Sequence, residues 1–357
     1  MTVASESVRA TSLSDADIQA RLAQWMVEEI DASRVDIFEA SLLAGGAVQQ
    51  NWRLDVKVDG GPRAGKHAWV LRTDAQASLD ISLDRVAEFR CIAKAYDAGV
   101  KVAEPIAVCS DISVIGRPFA VQAYVPGIAQ GRRIVRDPKL PDYGDDLAAA
   151  IGREMAKIHA IRPTNGALPF LPVPIGNPSR LAVAHMRKAL DGASAPRPAL
   201  EYILVWLDAN APEPDAVTLV HGDLRTGNYM VDAGKLTAIL DWEFCHWGDP
   251  REDIGWFIAR CWRFGNDAKV AGGIARFASL LDAYNDSARV RVTAAEVQYF
   301  EVLAAAKWAT IALLQGDRFL RGGERSLELA LTGLMPPEME LDALDIIEKI
   351  ENGRART

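Results

Sequence analysis

The chain has 357 residues, 49% of them hydrophobic and 25% charged, with a formal net charge of −8 and a pI of about 5.3. That balance supplies a large core and length enough for two domains or lobes, and it argues against nucleic-acid binding, which needs a basic face. The acidic surface suits a cationic ligand, but it also serves plain solubility.

Residues 1–34 read as an N-terminal tail and one helix. They hold no apolar h-region, so no signal peptide is expected. Ser14 is placed to cap a helix with Ile18, Leu22, Trp25 and Met26 on one face. From 35 the period changes. Val35 to Leu43 is rich in β-formers, Gly45-Gly46 punctuates it, and Trp52 to Val58 alternates apolar with polar. A Gly/Pro loop, Gly60 to Lys66, leads to a strand over Ala68 to Arg72. A helix beginning at Ser82 carries Val86, Phe89, Ile92 and Ala93, and strands follow at Ile106–Cys109 and Phe119–Val125. Residues 35–125 therefore form a strand-rich amino lobe.

Residues 126–357 are mainly helical, with helices expected at 145–160, 179–190, 200–209, 253–263, 270–285, 294–315 and 326–334. The most apolar run, Val302 to Leu314, is too short to span a bilayer and carries Lys307. Cys91, Cys109, Cys245 and Cys261 form no C-x-x-C pair, as expected of reduced thiols in a cytoplasmic protein. A small β lobe followed by a large helical one is an α+β arrangement, with a ligand cleft expected between the two.

The chemistry concentrates in His221-Gly222-Asp223-Leu224-Arg225-Thr226-Gly227-Asn228 and the segment ending Asp241-Trp242-Glu243. Asp223 and Asn228 have the D-x-x-x-x-N spacing of a kinase catalytic loop, in which the Asp takes the hydroxyl proton and the Asn binds metal. Tyr229-Met230-Val231 and Leu236 to Leu240 are strand-like around the turn Asp232-Ala233-Gly234-Lys235. An antiparallel hairpin brings Asn228 and Asp241 to one end, and an amide oxygen with a carboxylate suits Mg²⁺. Gly60 to His67 nearly fits a P-loop, but His67 replaces the hydroxyl residue and no helix follows, so it reads as a hairpin loop.

With Gly248-Asp249-Pro250 and Asp253, these motifs resemble the aminoglycoside phosphotransferase and choline-kinase-like family, over nearly the whole chain after residue 35. The resemblance implies a protein-kinase-like two-lobe fold and transfer of the ATP γ-phosphoryl group, with Mg²⁺, to a hydroxyl of a small molecule. It implies Asp223 as base, Asn228 and Asp241 as metal ligands, His221 as a brace and Asp253 as the carboxylate that hydrogen-bonds the loop. His159 is expected to pack beneath that loop. Arg225 is either a phosphate contact or a solvated surface residue.

In the amino lobe the resemblance places the nucleotide loop at Gly45 and Gly46. It puts Arg72 where protein kinases carry Lys, Glu88 as the ion-pair partner of Arg72, and the adenine hinge at Gln122, Ala123, Tyr124 and Val125. Arg at that position resembles the branch associated with acyl-CoA dehydrogenases. Arg132 and Arg133, just after the hinge, suit an anionic acceptor such as a hydroxyacyl-CoA. A nucleotide-binding pseudokinase and a true aminoglycoside kinase stand as alternatives. No nucleic-acid or membrane partner is expected, and the oligomeric state is left open.

Overall fold

The computed structural model describes residues 13, 15–43, 49–74, 82–164, 166–193, 196–322 and 326–353. The chain divides into two compact units, one of Met1–Tyr96 with Ala103–Val125, the other of Asp97–Val102 with Pro126–Thr357.

The first unit runs α1 (Ala16–Glu29), β1 (Arg34–Leu42), β2 (Gln49–Asp59), β3 (Gly65–Asp74), α2 (Arg85–Asp97), β4 (Pro105–Cys109), α3 (Ile112–Ile115) and β5 (Phe119–Ala123). The strands form one antiparallel sheet in the order β1-β2-β3-β5-β4. Alternation in β2 buries Trp52, Leu54, Val56 and Val58, which pack with Trp69, Leu71, Phe119 and Val121 of the sheet and Leu22 and Met26 of α1. Each such side chain contributes roughly 1.5–3 kcal/mol on leaving water. Gly60 and Gly61, both with φ +72°, lie in the β2–β3 connection, so the near-P-loop sequence is a hairpin.

The second unit contains α4 (Gly131–Val135), α5 (Leu140–Ile158), α6 (Pro178–Leu190), α7 (Pro198–Ala209), β6 (Thr218–Val220), β7 (Tyr229–Asp232), β8 (Lys235–Ile239) and β9 (His246–Gly248). It continues with α8 (Arg251–Ile258), a 3₁₀ turn over Arg260–Trp262, α9 (Phe277–Ser287), α10 (Ala294–Leu320), α11 (Leu327–Thr332) and α12 (Pro336–Glu351). β6 pairs with β9 and β7 with β8, both antiparallel. α10 starts in a Thr293/Glu296 capping box and runs through the core among α7, α8 and α12. By length and composition alone this helix could cross a membrane, but most of its apolar residues are buried within the unit. α8 crosses it closely: a methyl group on Gly255 would lie 2.5 Å from the Phe300 carbonyl carbon.

Several element boundaries differ from expectation. Ser14 lies outside the described residues, and Asp15 caps α1. α2 starts at Arg85 rather than Ser82, where the Asp84 carboxylate accepts from the Ala87 N–H. Its buried stripe carries Arg85, Glu88, Cys91, Ile92 and Ala95, so the apolar face read through Phe89 is not the buried one. The helix expected at 253–263 ends at Ile258, because Ala259 is extended (ψ 139°). The helix expected from 270 begins at Phe277, because Gly272 and Gly273 take positive φ and Ala271 bridges Ala275. α12 was not expected from the sequence at all.

Candidate functional site

The loop between β6 and β7 is held from below. Asp253 on α8 is fully buried and accepts from the backbone N–H groups of His221 (2.8 Å) and Gly222 (2.9 Å). His159, at the end of α5, lies 3.1 Å from the same carboxylate and 3.0 Å from the Tyr284 hydroxyl. Burial pushes the Asp253 carboxyl up, but the His159 imidazole and the His221 backbone bond outweigh it and hold it at about 2. Gly222 has φ +81°, and a Cβ there would lie 2.3 Å from the Phe244 carbonyl oxygen, so only glycine fits beside Asp223. The His221 ring lies 2.9 Å from the Leu240 carbonyl through Nε2 and accepts from the Asp223 N–H through Nδ1. Burial pushes its pKa down, which favours the neutral tautomer with the proton on Nε2.

The β7–β8 hairpin sets the other end of the loop. Leu240 donates its N–H to the Asn228 carbonyl at 2.9 Å, which places Asp241 next to Asn228. Asp241 has φ +59°, a left-handed conformation that Asp tolerates better than most residues. Asn228 gives the hydrogens of Nδ2 to the Asp223 carbonyl (2.8 Å) and to Asp223 Oδ2 (2.6 Å), leaving Oδ1 as its acceptor. Among the described residues no group of three or more His, Cys, Asp or Glu side chains could hold a metal alone. One carboxylate and one amide oxygen fit Mg²⁺, which takes few protein ligands and fills its shell with phosphate oxygens and water.

Two residues that sequence reasoning missed complete the surroundings of Asp223. Trp256, one turn after Asp253 on α8, donates its indole N–H to Asp223 Oδ1 at 2.8 Å. Lys307 on α10 donates to the Gly222 carbonyl at 2.9 Å and sits 4.8 Å over the Trp256 ring. The i,i+3 spacing from Asp253 and a lysine inside an apolar run were the available signals. Arg225 is neither a free surface residue nor poised alone: its Nε reaches Asp223 Oδ1 at 3.3 Å and its guanidinium lies 4.4 Å over the Trp262 ring.

In the first unit, Gly45 and Gly46 lie outside the described residues. Arg72 and Glu88 form an ion pair at 3.1 Å, and Arg85 joins the same carboxylate. All three are under 10% exposed, so Glu88 is not a solvated helix residue. In the hinge segment Gln122 is buried, and Ala123 and Tyr124 already donate their N–H groups to Glu104 and Ala68. That narrows the backbone groups there that could meet adenine. Arg132 and Arg133 lie exposed on α4. α4 itself is seated on the loop, since a methyl on Gly131 would lie 2.9 Å from the Thr226 carbonyl oxygen.

A family profile described as "Phosphotransferase enzyme family" (APH) matches residues 39–292. Human acyl-CoA dehydrogenase family member 11 is 27% identical over 279 residues, covering 73% of this chain and 35% of the relative. The chicken protein of that name is 31% identical over 199 residues, covering 54% of this chain and 25% of the relative. The chain thus spans about a third or less of the length of these curated relatives. Among solved structures, a candidate aminoglycoside phosphotransferase from Ralstonia eutropha superposes with a TM-score of 0.73 at 21% identity, covering 95% of this chain and 99% of that one. A choline/ethanolamine kinase family protein from Mesorhizobium loti gives 0.58 at 19% identity, covering 88% and 90%. At these identities the likeness shows the fold, and the fold is kinase-like, with a five-stranded antiparallel sheet in the first unit and a mainly helical second unit.

Proposed function

The chain belongs to the APH phosphotransferase enzyme family, and on that premise we propose that it transfers the γ-phosphoryl group of ATP, with Mg²⁺, to a hydroxyl of a small molecule. The observation that carries this reading is the placement of Asp223, Asn228 and Asp241 together at one end of the β7–β8 hairpin. Solved relatives of the same fold contain GDP or AMP-PNP, which supports a nucleotide as donor.

The residues divide the work. Asp223 takes the proton of the acceptor hydroxyl as that oxygen bonds to the γ-phosphorus. The bond from that phosphorus to the bridging oxygen breaks, and ADP leaves with the electron pair. Asn228 Oδ1 and the Asp241 carboxylate would hold Mg²⁺, which neutralises charge on the phosphate oxygens. His221 and Asp253 keep the loop in place. Arg72, fixed by Glu88, supplies the charge that grips the nucleotide phosphates. For the acceptor we infer an anionic hydroxylated metabolite such as a hydroxyacyl-CoA. Exposed Arg132 and Arg133 on a helix seated against the loop support it, as does the name of the acyl-CoA dehydrogenase relatives.

The test is ATP consumption against a hydroxylated compound library. Asp223→Asn keeps the shape and removes proton acceptance, so a kcat loss on the order of 10²–10⁴ is expected with unchanged ATP affinity. Asp241→Asn is the clean metal variant because Asn also tolerates φ +59°. It should raise the Mg²⁺ concentration needed for turnover. Full activity in folded Asp241→Asn at low Mg²⁺ would refute the metal assignment. Unchanged turnover in Asp223→Asn would end the kinase reading.

A further inference from the structure

Asp223 is held by more than its own loop. Oδ1 accepts from the Trp256 indole N–H at 2.8 Å and from Arg225 Nε at 3.3 Å, whereas among the described residues Oδ2 accepts only from Asn228 Nδ2, at 2.6 Å. A carboxylate oxygen offers two lone-pair directions. Both directions of Oδ1 are therefore filled, and Oδ2 keeps one.

The two donors to Oδ1 are themselves fixed through the same wall of rings. The Trp256 and Trp262 centroids lie 5.2 Å apart, and Trp262 is 4.8 Å from Trp308. Arg225 stacks over Trp262 and Lys307 over Trp256. Lys307 is anchored at the Gly222 carbonyl, one residue from Asp223, and no carboxylate lies within ion-pair distance of it among the described residues. A half-buried ammonium without a carboxylate is costly unless other contacts offset its lost hydration. Its two contacts here are the ring that carries the donor and the backbone that carries the acceptor.

We propose that Trp256, held by Lys307, is a positioning residue that fixes the Asp223 carboxylate through Oδ1 and so leaves Oδ2 as the oxygen that takes the acceptor's proton. The inference rests on Asp223 being the base. The role of Trp256 in this proposal runs through that carboxylate, to which its indole N–H is bonded. Lys307 acts one step further out, on the ring face and on the Gly222 carbonyl.

Two measurements test it. The first needs no acceptor. In ¹⁵N-labelled full chain, the indole N–H signal missing from Trp256→Phe identifies Trp256. That signal should shift in Asp223→Ala and again in Lys307→Met. An unmoved signal in Asp223→Ala overturns the proposal. The second is phosphate release from ATP with Mg²⁺, water standing in for the hydroxyl. Trp256→Phe keeps a ring under Lys307 and removes the N–H. It should lower kcat about tenfold, the worth of one hydrogen bond to a charged group, with the KM for ATP unchanged. In an Asp223→Asn background the same substitution should cost nothing further, because groups acting as one unit are non-additive. Equal losses in both backgrounds would mean a merely structural tryptophan and overturn the inference alone. Full release by Asp223→Asn would overturn the base assignment and the inference together.

Discussion

At the scale of single residues, the loop between β6 and β7 depends on a fully buried carboxylate. Burial pushes the Asp253 carboxyl up, but the His159 imidazole and the His221 N–H outweigh it and hold it at about 2, below the ordinary carboxyl value of about 3.9. A carboxyl depressed in the folded state stabilises the fold above its unfolded pKa, and that contribution is lost as pH falls from about 4 towards about 2. The shift corresponds to something on the order of 2 kcal/mol at neutral pH. Denaturant unfolding at steps across that window should therefore show a steep loss in the native chain and a flatter one in Asp253→Asn. If Asp253→Asn loses stability just as steeply, another group carries the acid transition. The spacing and the hairpin singled out Asp223, Asn228 and Asp241, whereas His221 and Asp253 were expected only through the family resemblance that those motifs carry. Trp256 was not expected, although it lies in the same stretch of chain. An indole on an amphipathic helix reads as core, and only the approach of α8 to the loop turns its N–H towards Asp223. Arg85 escaped for a related reason: a charge at the start of a helix reads as solvated unless its partner is known to be buried.

At the scale of elements, α2 carries a cluster that combines stability with the expected nucleotide site. Two guanidiniums share one carboxylate there, all nearly out of water. Removing Glu88 would take the shared carboxylate away from two buried guanidiniums, and breaking a buried pair costs about 3–5 kcal/mol. Glu88→Ala should accordingly lower the thermal midpoint sharply as well as raise the KM for ATP. Arg72→Met in the same background should then cost little more, since the pair acts as one. Additive losses in stability and KM would show that Glu88 and Arg72 act separately. The strands were readable because alternation in β2 and β3 faces a single apolar layer. Helix ends were less so. Gly272 and Gly273 read as tolerable helix interior, yet both adopt positive φ, and the helix waits until Phe277. α12 was hidden by Pro336-Pro337, which reads as a break but is allowed in the first helical turn, where no N–H partner is needed.

At the scale of the whole molecule, the open variable is the charge of the acceptor. The chain carries −8 overall, which would draw in a polycation and repel an anion at long range. Close to the loop the balance reverses. Arg132 and Arg133 are exposed on α4, and Arg136 follows at its end. The segments 163–178 and 191–198 contain a single acid, Asp191, so they offer no carboxylate cluster for an aminoglycoside. A local cationic patch on an acidic molecule acts over about a Debye length, roughly 8 Å at physiological salt, so it selects ligands that have already arrived. An anionic acceptor held this way should bind more weakly as salt rises, whereas a polycationic one drawn by the overall charge would lose its attraction at the loop itself. We therefore expect a hydroxyacyl-CoA to be phosphorylated faster than kanamycin-type compounds. Replacing both Arg132 and Arg133 by Ala should raise the KM for that acceptor on the order of tenfold, about what losing one or two exposed charge contacts costs. The KM for ATP should not change, and the salt dependence of the acceptor KM should flatten in the double variant. Rapid turnover of aminoglycosides that ignores both substitutions would place the acceptor elsewhere on the second unit and return the charge argument to the molecule as a whole.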